Sequence, residues 1–376
     1  MSAVRPVSEA HERDFLDECE DIERGLDIKY PSTAGKAPNG AGRSDKPEPP
    51  PLAFEAALAD WAQPLPPAIP TGIPELDKMI GGLRAESVYV LNAPTGRGKT
   101  GLAIQIASHA AKTRPVLYLS SELSRRQILA RFVAQRLQCS WLEVYGFLPE
   151  ASKRVAEELC KVPRLRAVEL TRETNITDLC ARIADAEGEA PLTVLDYLQH
   201  AARRMNPDDR RLATGALSDE IARYARDTRS AALVVSAVAR GFYNDNQDKT
   251  ATDFAGASKE SGDIDYDAAG LFFLDCEPCP PGGTSPARLH VSKSRFSHGG
   301  TIGLEFNGRV GCFKPDPAGA LTEEQRSVYD VIRGGVDGFD ELYAGVKMRK
   351  QRVLEIVKIL TARHLITRMP LAVVPQ

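Results

Sequence analysis

The run Ala93-Pro94-Thr95-Gly96-Arg97-Gly98-Lys99-Thr100 has the residue types and spacing to hold a polyphosphate. Small residues let successive backbone N–H groups turn inward on an anion, and a helix opening at Lys99 adds the partial positive charge of its N-terminus. Lys99 would neutralise the β- and γ-phosphates, and Thr100 would offer a hydroxyl to Mg²⁺. The spacing is that of G-x-x-x-x-G-K-S/T, except that Ala93 stands where the first glycine would be. Alanine is the next smallest residue, so the departure matters only if that position requires φ > 0.

Phosphate chemistry also needs acids at neighbouring strand ends. Val116 to Leu119 reads as a strand running into Ser120-Ser121-Glu122, and Leu192 to Asp196 as a second apolar strand ending in an acid. A carboxylate at the C-terminal end of a strand points into the crevice where open α/β sheets bind ligands. Glu122 is therefore a candidate general base for a water attacking a γ-phosphate. The alternative is a helix N-terminal glutamate favoured by the macrodipole, since a basic helix with Arg125, Arg126 and Arg131 follows. Asp196 would hold the Mg²⁺ shell opposite Thr100.

The elements that must position these groups follow from periodicity. Residues 87–92 form a buried strand, and Leu102, Ala103, Ile106, Ala107 and Ala110 line one side of the helix after the loop. Residues 151–190 read as helical and connective, 212–229 as a helix, and Ala232 to Ser236 as a strand. After a polar segment at 241–262 come strands at Gly270 to Leu274, Ala287 to Ser292 and Thr301 to Phe306. The pattern predicts an α/β fold with a mostly parallel central sheet extended by later strands.

Composition sets limits on the alternatives. A chain of 376 residues that is 43% hydrophobic and 26% charged has the make-up of a globular protein with room for a second small domain. A net charge of −3 means that any nucleic-acid site must be a local patch. No stretch approaches the ~20 apolar residues of a membrane span, and the acidic N-terminus is unlike a signal peptide; a cytoplasmic location is expected, with no membrane partner. The seven cysteines do not suggest a disulfide framework, and Cys276 and Cys279 alone have C-x-x-C spacing, beside a Pro-Pro-Gly-Gly loop. They read as reduced thiols, with a redox or metal role as the alternative.

Four segments are expected. Residues 1–51 form a disordered tail with one short acidic helix and a linker. A linker helix at 52–65 carries Phe54, Leu58 and Trp61 at helical spacing, to pack on its own ATPase domain or on a neighbour. The nucleotide domain occupies 66–315. Residues 320–376 hold three short helices, at 322–333, 338–346 and 349–363, and a wing strand at His364 to Arg368, the pattern of a winged helix-turn-helix. Arg349, Lys350 and Arg352 open the third helix, where a recognition helix would touch duplex DNA; a protein-docking face is the alternative.

At this point the sequence resembles the RecA-like motor domain of DnaB-type hexameric replicative helicases. The resemblance covers residues 70–314 and rests on TGIPELDKMIGGL, APTGRGKT, LYLSSELS, LTVLDYLQ, and KESGDIDYDA with SKSRFSHGGTIGLEFNG, in that order. DYLQ and the K-x-R of Lys293 and Arg295 are more specific than the phosphate loop. The resemblance implies ATP and Mg²⁺ as cofactors, nucleotide contacts from residues 93–100, catalysis by Lys99 and Glu122, and a metal shell at Thr100 and Asp196. It implies that Lys293 and Arg295 reach into the neighbouring subunit's site, and that a loop with Lys259, Glu260 and Gly262 tracks single-stranded DNA through a ring. Arg203 and Arg204, with Arg210 and Arg211, line that channel or belong to a solvated loop.

Beside Ala93, two departures stand out. The family usually has a glutamine thought to sense the γ-phosphate where Ala237 stands, and residues 1–69 are not expected to form its globular N-terminal domain. The expectation is an ATP-dependent helicase or translocase on single-stranded DNA, a homo-oligomer and specifically a hexamer, serving a plasmid, phage or mobile element. The alternative is a RecA-like ATPase switch, a regulator or loader that binds duplex DNA through its winged helix without unwinding it.

Overall fold

A computed structural model of the protein describes residues 65–146, 157–158, 160–171, 174–205, 210–238, 267–336, 338–362, 365–368 and 371–373. The expected tail and linker helix before residue 65 lie outside these, as does the loop with Lys259, Glu260 and Gly262.

The nucleotide region starts with α1 (Pro74–Ile80), whose backbone reverses at Gly81, φ 74°. There follow β1 (Ser87–Ala93), α2 (Lys99–Ala110), β2 (Val116–Ser120), α3 (Arg125–Leu137), α4 (Trp141–Gly146), β3 (Leu165–Glu169), α5 (Ile176–Glu187), β4 (Leu192–Asp196), α6 (Leu198–Met205), α7 (Arg210–Asp227) and β5 (Ala231–Ala237). The strands β6 (Gly270–Cys276), β7 (Thr284–Ser294), β8 (Gly300–Asn307) and β9 (Cys312–Pro315) complete one sheet of order β3-β2-β4-β5-β1-β6-β7-β8-β9. From β3 to β6 the neighbours are parallel. From β6 to β9 they are antiparallel.

Every residue of β1 is buried, as a central parallel strand with both faces covered requires. Alternation divides its side chains between two cores. Tyr89, Leu91 and Ala93 join Leu102 and Ile106 of α2 and Phe132 of α3 on one face. Val88 and Val90 join Leu217 and Ile221 of α7 on the other. A capping box fixes the start of α3, with the Ser124 side chain accepting from the Gln127 N–H and Gln127 accepting from the Ser124 N–H.

Three elements correct the sequence expectation. The segment 151–190 contains β3, an edge strand whose residues are at best half-buried. Its short, partly charged alternation, with Arg166 paired to Glu187, carries too little apolar signal to read as a strand. Helix α6, directly after β4, and strand β9 are additional, and β7 extends well beyond Ala287 to Ser292 at its N-terminal end.

Beyond the sheet lie α8 (Glu323–Arg333), α9 (Phe339–Gly345) and α10 (Lys350–Ala362), then β10 (Ile366–Arg368) and β11 (Leu371–Val373), an antiparallel pair. Val328, Ile332, Leu342, Val353, Ile356, Val357 and Leu360 form a core of their own there. The helix bounds match the expected ones closely, and the expected strand at 364–368 begins at Ile366; His364 is outside the described residues. Among the described residues no helix is long and apolar enough to cross a membrane.

Candidate functional site

Ala93 is the last residue of β1, paired with Ala237 of β5 and fully buried. Its backbone is extended, so the position does not need glycine's freedom and alanine fits. The turn is made instead by Gly96 and Gly98, at φ 78° and 83°. Thr95 and Gly96 are exposed, Pro94, Arg97, Gly98 and Thr100 half-buried, and Lys99 opens α2. Behind the loop stands an aromatic pair, Phe306 and Phe313, with ring centroids 4.7 Å apart. A Cβ on Gly98 would lie 2.7 Å from the Phe313 ring and 3.1 Å from that of Phe306. Gly98→Ala is therefore expected to weaken nucleotide binding by about tenfold or more, since left-handed backbone costs an alanine about 1–2 kcal/mol and overpacking adds about 1–3 kcal/mol. Titration with a fluorescent ATP analogue measures it; unchanged affinity would mean that the ring pair yields freely.

Lys99 is 6% exposed. Burial pushes its pKa down, and the charges of Asp196 and Glu122 oppose that shift. Its Nζ lies 5.2 Å from the centroid of the Tyr197 ring. The charges of two strand-end acids thus act on the lysine, and a polyphosphate would compete with them for it.

Asp196 is buried at the end of β4 and accepts a 2.8 Å hydrogen bond from the Tyr118 hydroxyl on Oδ2. Burial raises its pKa, and Tyr118, Thr100 and Lys99 act the other way. Its Oδ1 is buried without a hydrogen-bond partner of good geometry among the described residues. A buried carboxylate oxygen left open beside the Thr100 hydroxyl fits a divalent cation shell.

Glu122 is exposed and sits two residues before the Ser124 N-cap, so it belongs to the strand-to-helix turn and not to α3. Its charge acts on Lys99, Asp196, Tyr197 and Arg131, which places it on the same crevice. The preceding Ser121 ties the two acid-bearing segments together: its N–H donates to the Asp196 carbonyl at 2.8 Å, its hydroxyl donates to the Tyr197 carbonyl at 3.1 Å, and the Tyr197 N–H donates to its Oγ at 3.2 Å.

Arg131 read from sequence only as a cation on a basic helix. In the fold its guanidinium stacks 4.0 Å over Trp141, donates to the Gln127 carbonyl at 3.1 Å, and lies within the fields of Tyr118, Asp196 and Glu122. The available signal was its place on the inward stripe of α3, three residues after Ile128 and four before Gln135. Tyr118 and Tyr197 were given no role from sequence, and the available signal was their place within LYLSSELS and LTVLDYLQ.

The other expected residues lie elsewhere. In β7, Ser294 pairs with Gly270 of β6, which pairs with Tyr89 of β1. Lys293 and Arg295 therefore sit where β1 begins, whereas the phosphate loop leaves β1 after Ala93, about 13 Å further along at ~3.3 Å per residue. The chain does not bring these two cations to its own Lys99. Arg203, in α6, is exposed, and its charge reaches Tyr197; the side chain of Arg204 is outside the description. Arg349 and Lys350 are exposed, Lys350 lying 5.0 Å from the Tyr343 ring centroid. Arg352 is held by Glu324 at 2.7 Å and by Glu355 at 3.1 Å. These exposed pairs are worth little in stability, but they occupy the guanidinium that was expected to face DNA. The Cys279 thiol donates to the Gly283 carbonyl at 3.2 Å and Cys276 is buried against Ser285, with no cluster of three metal-ligating side chains among the described residues.

The family model described as DnaB-like helicase C terminal domain matches residues 68–315. Among curated proteins, the chain is 27% identical over 256 residues to Replicative DNA helicase DnaC of Bacillus subtilis, covering 63% of this chain and 54% of that one. It is 26% identical over 253 residues to Replicative DNA helicase DnaB of Geobacillus stearothermophilus, with the same coverage of 63% and 54%. The chain thus spans about half the length of the curated relatives it matches. Of solved structures, the ATPase domain of G40P superposes with a TM-score of 0.59 at 18% identity, covering 70% of this chain and 99% of that one. A DnaB-like replicative helicase studied with its interactions with primase superposes at 0.57 and 16% identity, covering 80% and 75%. At such identities the likeness is one of fold, the RecA-like α/β ATPase fold. The family match takes in every element from α1 to the end of β9, well over half of the sequence, and the chain belongs to the DnaB-like helicase C terminal domain family.

Proposed function

We propose that the protein is an ATP-driven helicase or translocase on single-stranded DNA, working as a ring of identical subunits, a hexamer, in the replication of a plasmid, phage or mobile element. The observation that carries this reading is the crevice at the strand ends, where Lys99, Thr100, Asp196 and Glu122 converge beside a two-glycine phosphate loop. The loop N–H groups and Lys99 bind and orient the ATP phosphates. Thr100 and Asp196 would hold Mg²⁺, which neutralises phosphate charge when bound. Glu122, free of the helix and exposed at the crevice, accepts the proton of the attacking water. Lys293 and Arg295 serve a neighbouring subunit's nucleotide, a role that their distance from their own phosphate loop supports.

Glu122→Gln is expected to lower turnover by about 10²-fold or more, the usual worth of a general base, while ATP and DNA binding persist. A near-normal rate would remove Glu122 from that role. Single-stranded DNA would run past Arg203, Arg204 and the Lys259, Glu260 and Gly262 loop. In this reading 66–315 is the motor, 320–376 a winged helix that takes duplex DNA through Arg349 and Lys350 or docks a protein, and 1–51 and 52–65 a tail and linker helix.

The test is ATP hydrolysis with and without single-stranded DNA across protein concentration. Strong stimulation with steep concentration dependence supports a motor completed between subunits. A rate indifferent to DNA favours the second reading, an ATPase switch that binds duplex DNA without unwinding it. Ala237 motivates that second reading, because its methyl group has no hydrogen-bond donor to offer a phosphate.

A further inference from the structure

Strand β4 ends at Asp196, opposite Val235, while β5 runs on through Ser236 and Ala237. On its other side Ala237 is still paired with Ala93, the last residue before the phosphate loop. On the β4 side the ladder has run out. The amide of Gln199, in the first turn of α6, takes over there: its Nε2 donates to the Ser236 hydroxyl at 2.7 Å and to the Ala237 carbonyl at 3.1 Å, and its Oε1 accepts from the Ala237 N–H at 3.0 Å. One side chain thus closes on both backbone groups of Ala237 as a further strand would.

The same segment is held at its other end. Ser121, next to Glu122, pins Asp196 and Tyr197 through backbone and hydroxyl contacts, so residues 196–199 bridge the β2 and β5 strand ends. From Gln199 the helix runs on to Arg203, whose charge reaches back to Tyr197. A continuous bonded path therefore leads from Ala93 through Ala237 and Gln199 to the exposed end of α6. Such a path transmits only if both ends bias it.

We infer that Gln199 is a positioning residue that ties the root of the phosphate loop to α6, so that filling the nucleotide crevice is passed through its amide to the Arg203 end of the helix. The inference rests on the nucleotide-site reading given above. It assigns the amide of Gln199 a part that the methyl group of Ala237 cannot play.

Hydrogen exchange on the full chain, with and without Mg²⁺ and ATPγS, tests it. In the wild-type protein, nucleotide should slow exchange at residues 93–102 and also at 198–205, the latter by about tenfold, the scale of one or two hydrogen bonds. In Gln199→Ala the protection at 93–102 should remain and that at 198–205 should vanish. Equal responses of α6 in the two proteins, or none in either, would overturn the inference, as would loss of protection at 93–102 in the variant. If Gln199→Ala does not fold, Gln199→Glu keeps the acceptor for the Ala237 N–H and removes both donations; it should lose most of the α6 response, and full retention would overturn the inference. Oligothymidylate-stimulated hydrolysis separates this inference from the motor reading. A wild-type rate indifferent to oligothymidylate, with the α6 response intact and dependent on Gln199, would end the motor reading and leave the tie standing.

Discussion

Lys99→Ala is expected to lower ATP turnover by about 10³-fold or more, the scale seen when a preorganised group is removed from a water-poor site. The size of the effect follows from where the charge sits. The side chain belongs to a residue only 6% exposed, where burial pushes its pKa down and the charges of Asp196 and Glu122 oppose that shift. Once phosphate arrives, a cation already stripped of water acts at low local dielectric and needs no reorganisation. Alanine removes that charge and leaves the phosphates facing Asp196 and Glu122, so affinity for ATP should fall as well. Lys99→Arg is not expected to rescue, because a larger planar fork replaces a compact ammonium at a buried position. Turnover and nucleotide titration measure both effects; a loss below tenfold would mean that backbone N–H groups do most of the holding.

Arg295→Ala is expected to remove hydrolysis by about 10³-fold as well, the scale of an arginine finger, but to leave ATP binding nearly intact. The two variants differ because Lys99 and Arg295 lie at opposite ends of β1. A chain with Arg295→Ala still owns a whole phosphate loop; a chain with Lys99→Ala still owns the finger. Mixing the two inactive variants should therefore restore measurable hydrolysis, since interfaces that join the intact loop of one to the finger of the other are complete. Absence of recovery, in a mixture shown to co-assemble, would sink the trans arrangement, and so would loss of nucleotide binding in Arg295→Ala alone.

Much of this site was legible in order along the chain. A continuous apolar run, then Gly96, Gly98, Lys99 and Thr100, then a helical pattern, fixes strand, loop and helix because each is specified by local backbone freedom and periodicity. The two acids at the ends of apolar runs could be named for the same reason, since a parallel strand buried on both faces announces its own C-terminal end. Three well-patterned helices at the C-terminal end were equally readable from Val328, Ile332, Val353 and Ile356. The edge strand β3 was not, since its half-buried residues carry charges that pair with α5 and dilute the pattern.

What tertiary structure alone decided were relations between segments far apart in sequence. In sequence Ala93 was a departure that mattered only if the position needed φ > 0; pairing with Ala237, 144 positions later, shows an extended residue with no demand for glycine. Arg131 became part of the crevice through Trp141 and the fields of Asp196 and Glu122, and Gln199 became a bridge because β5 outruns β4. The end of the sheet at which Lys293 and Arg295 lie depends on β7 running antiparallel to β6. Residue types and spacing determine which chemistry is on offer; strand order and direction, set by long-range pairing and by burial of both sheet faces, decide which groups meet.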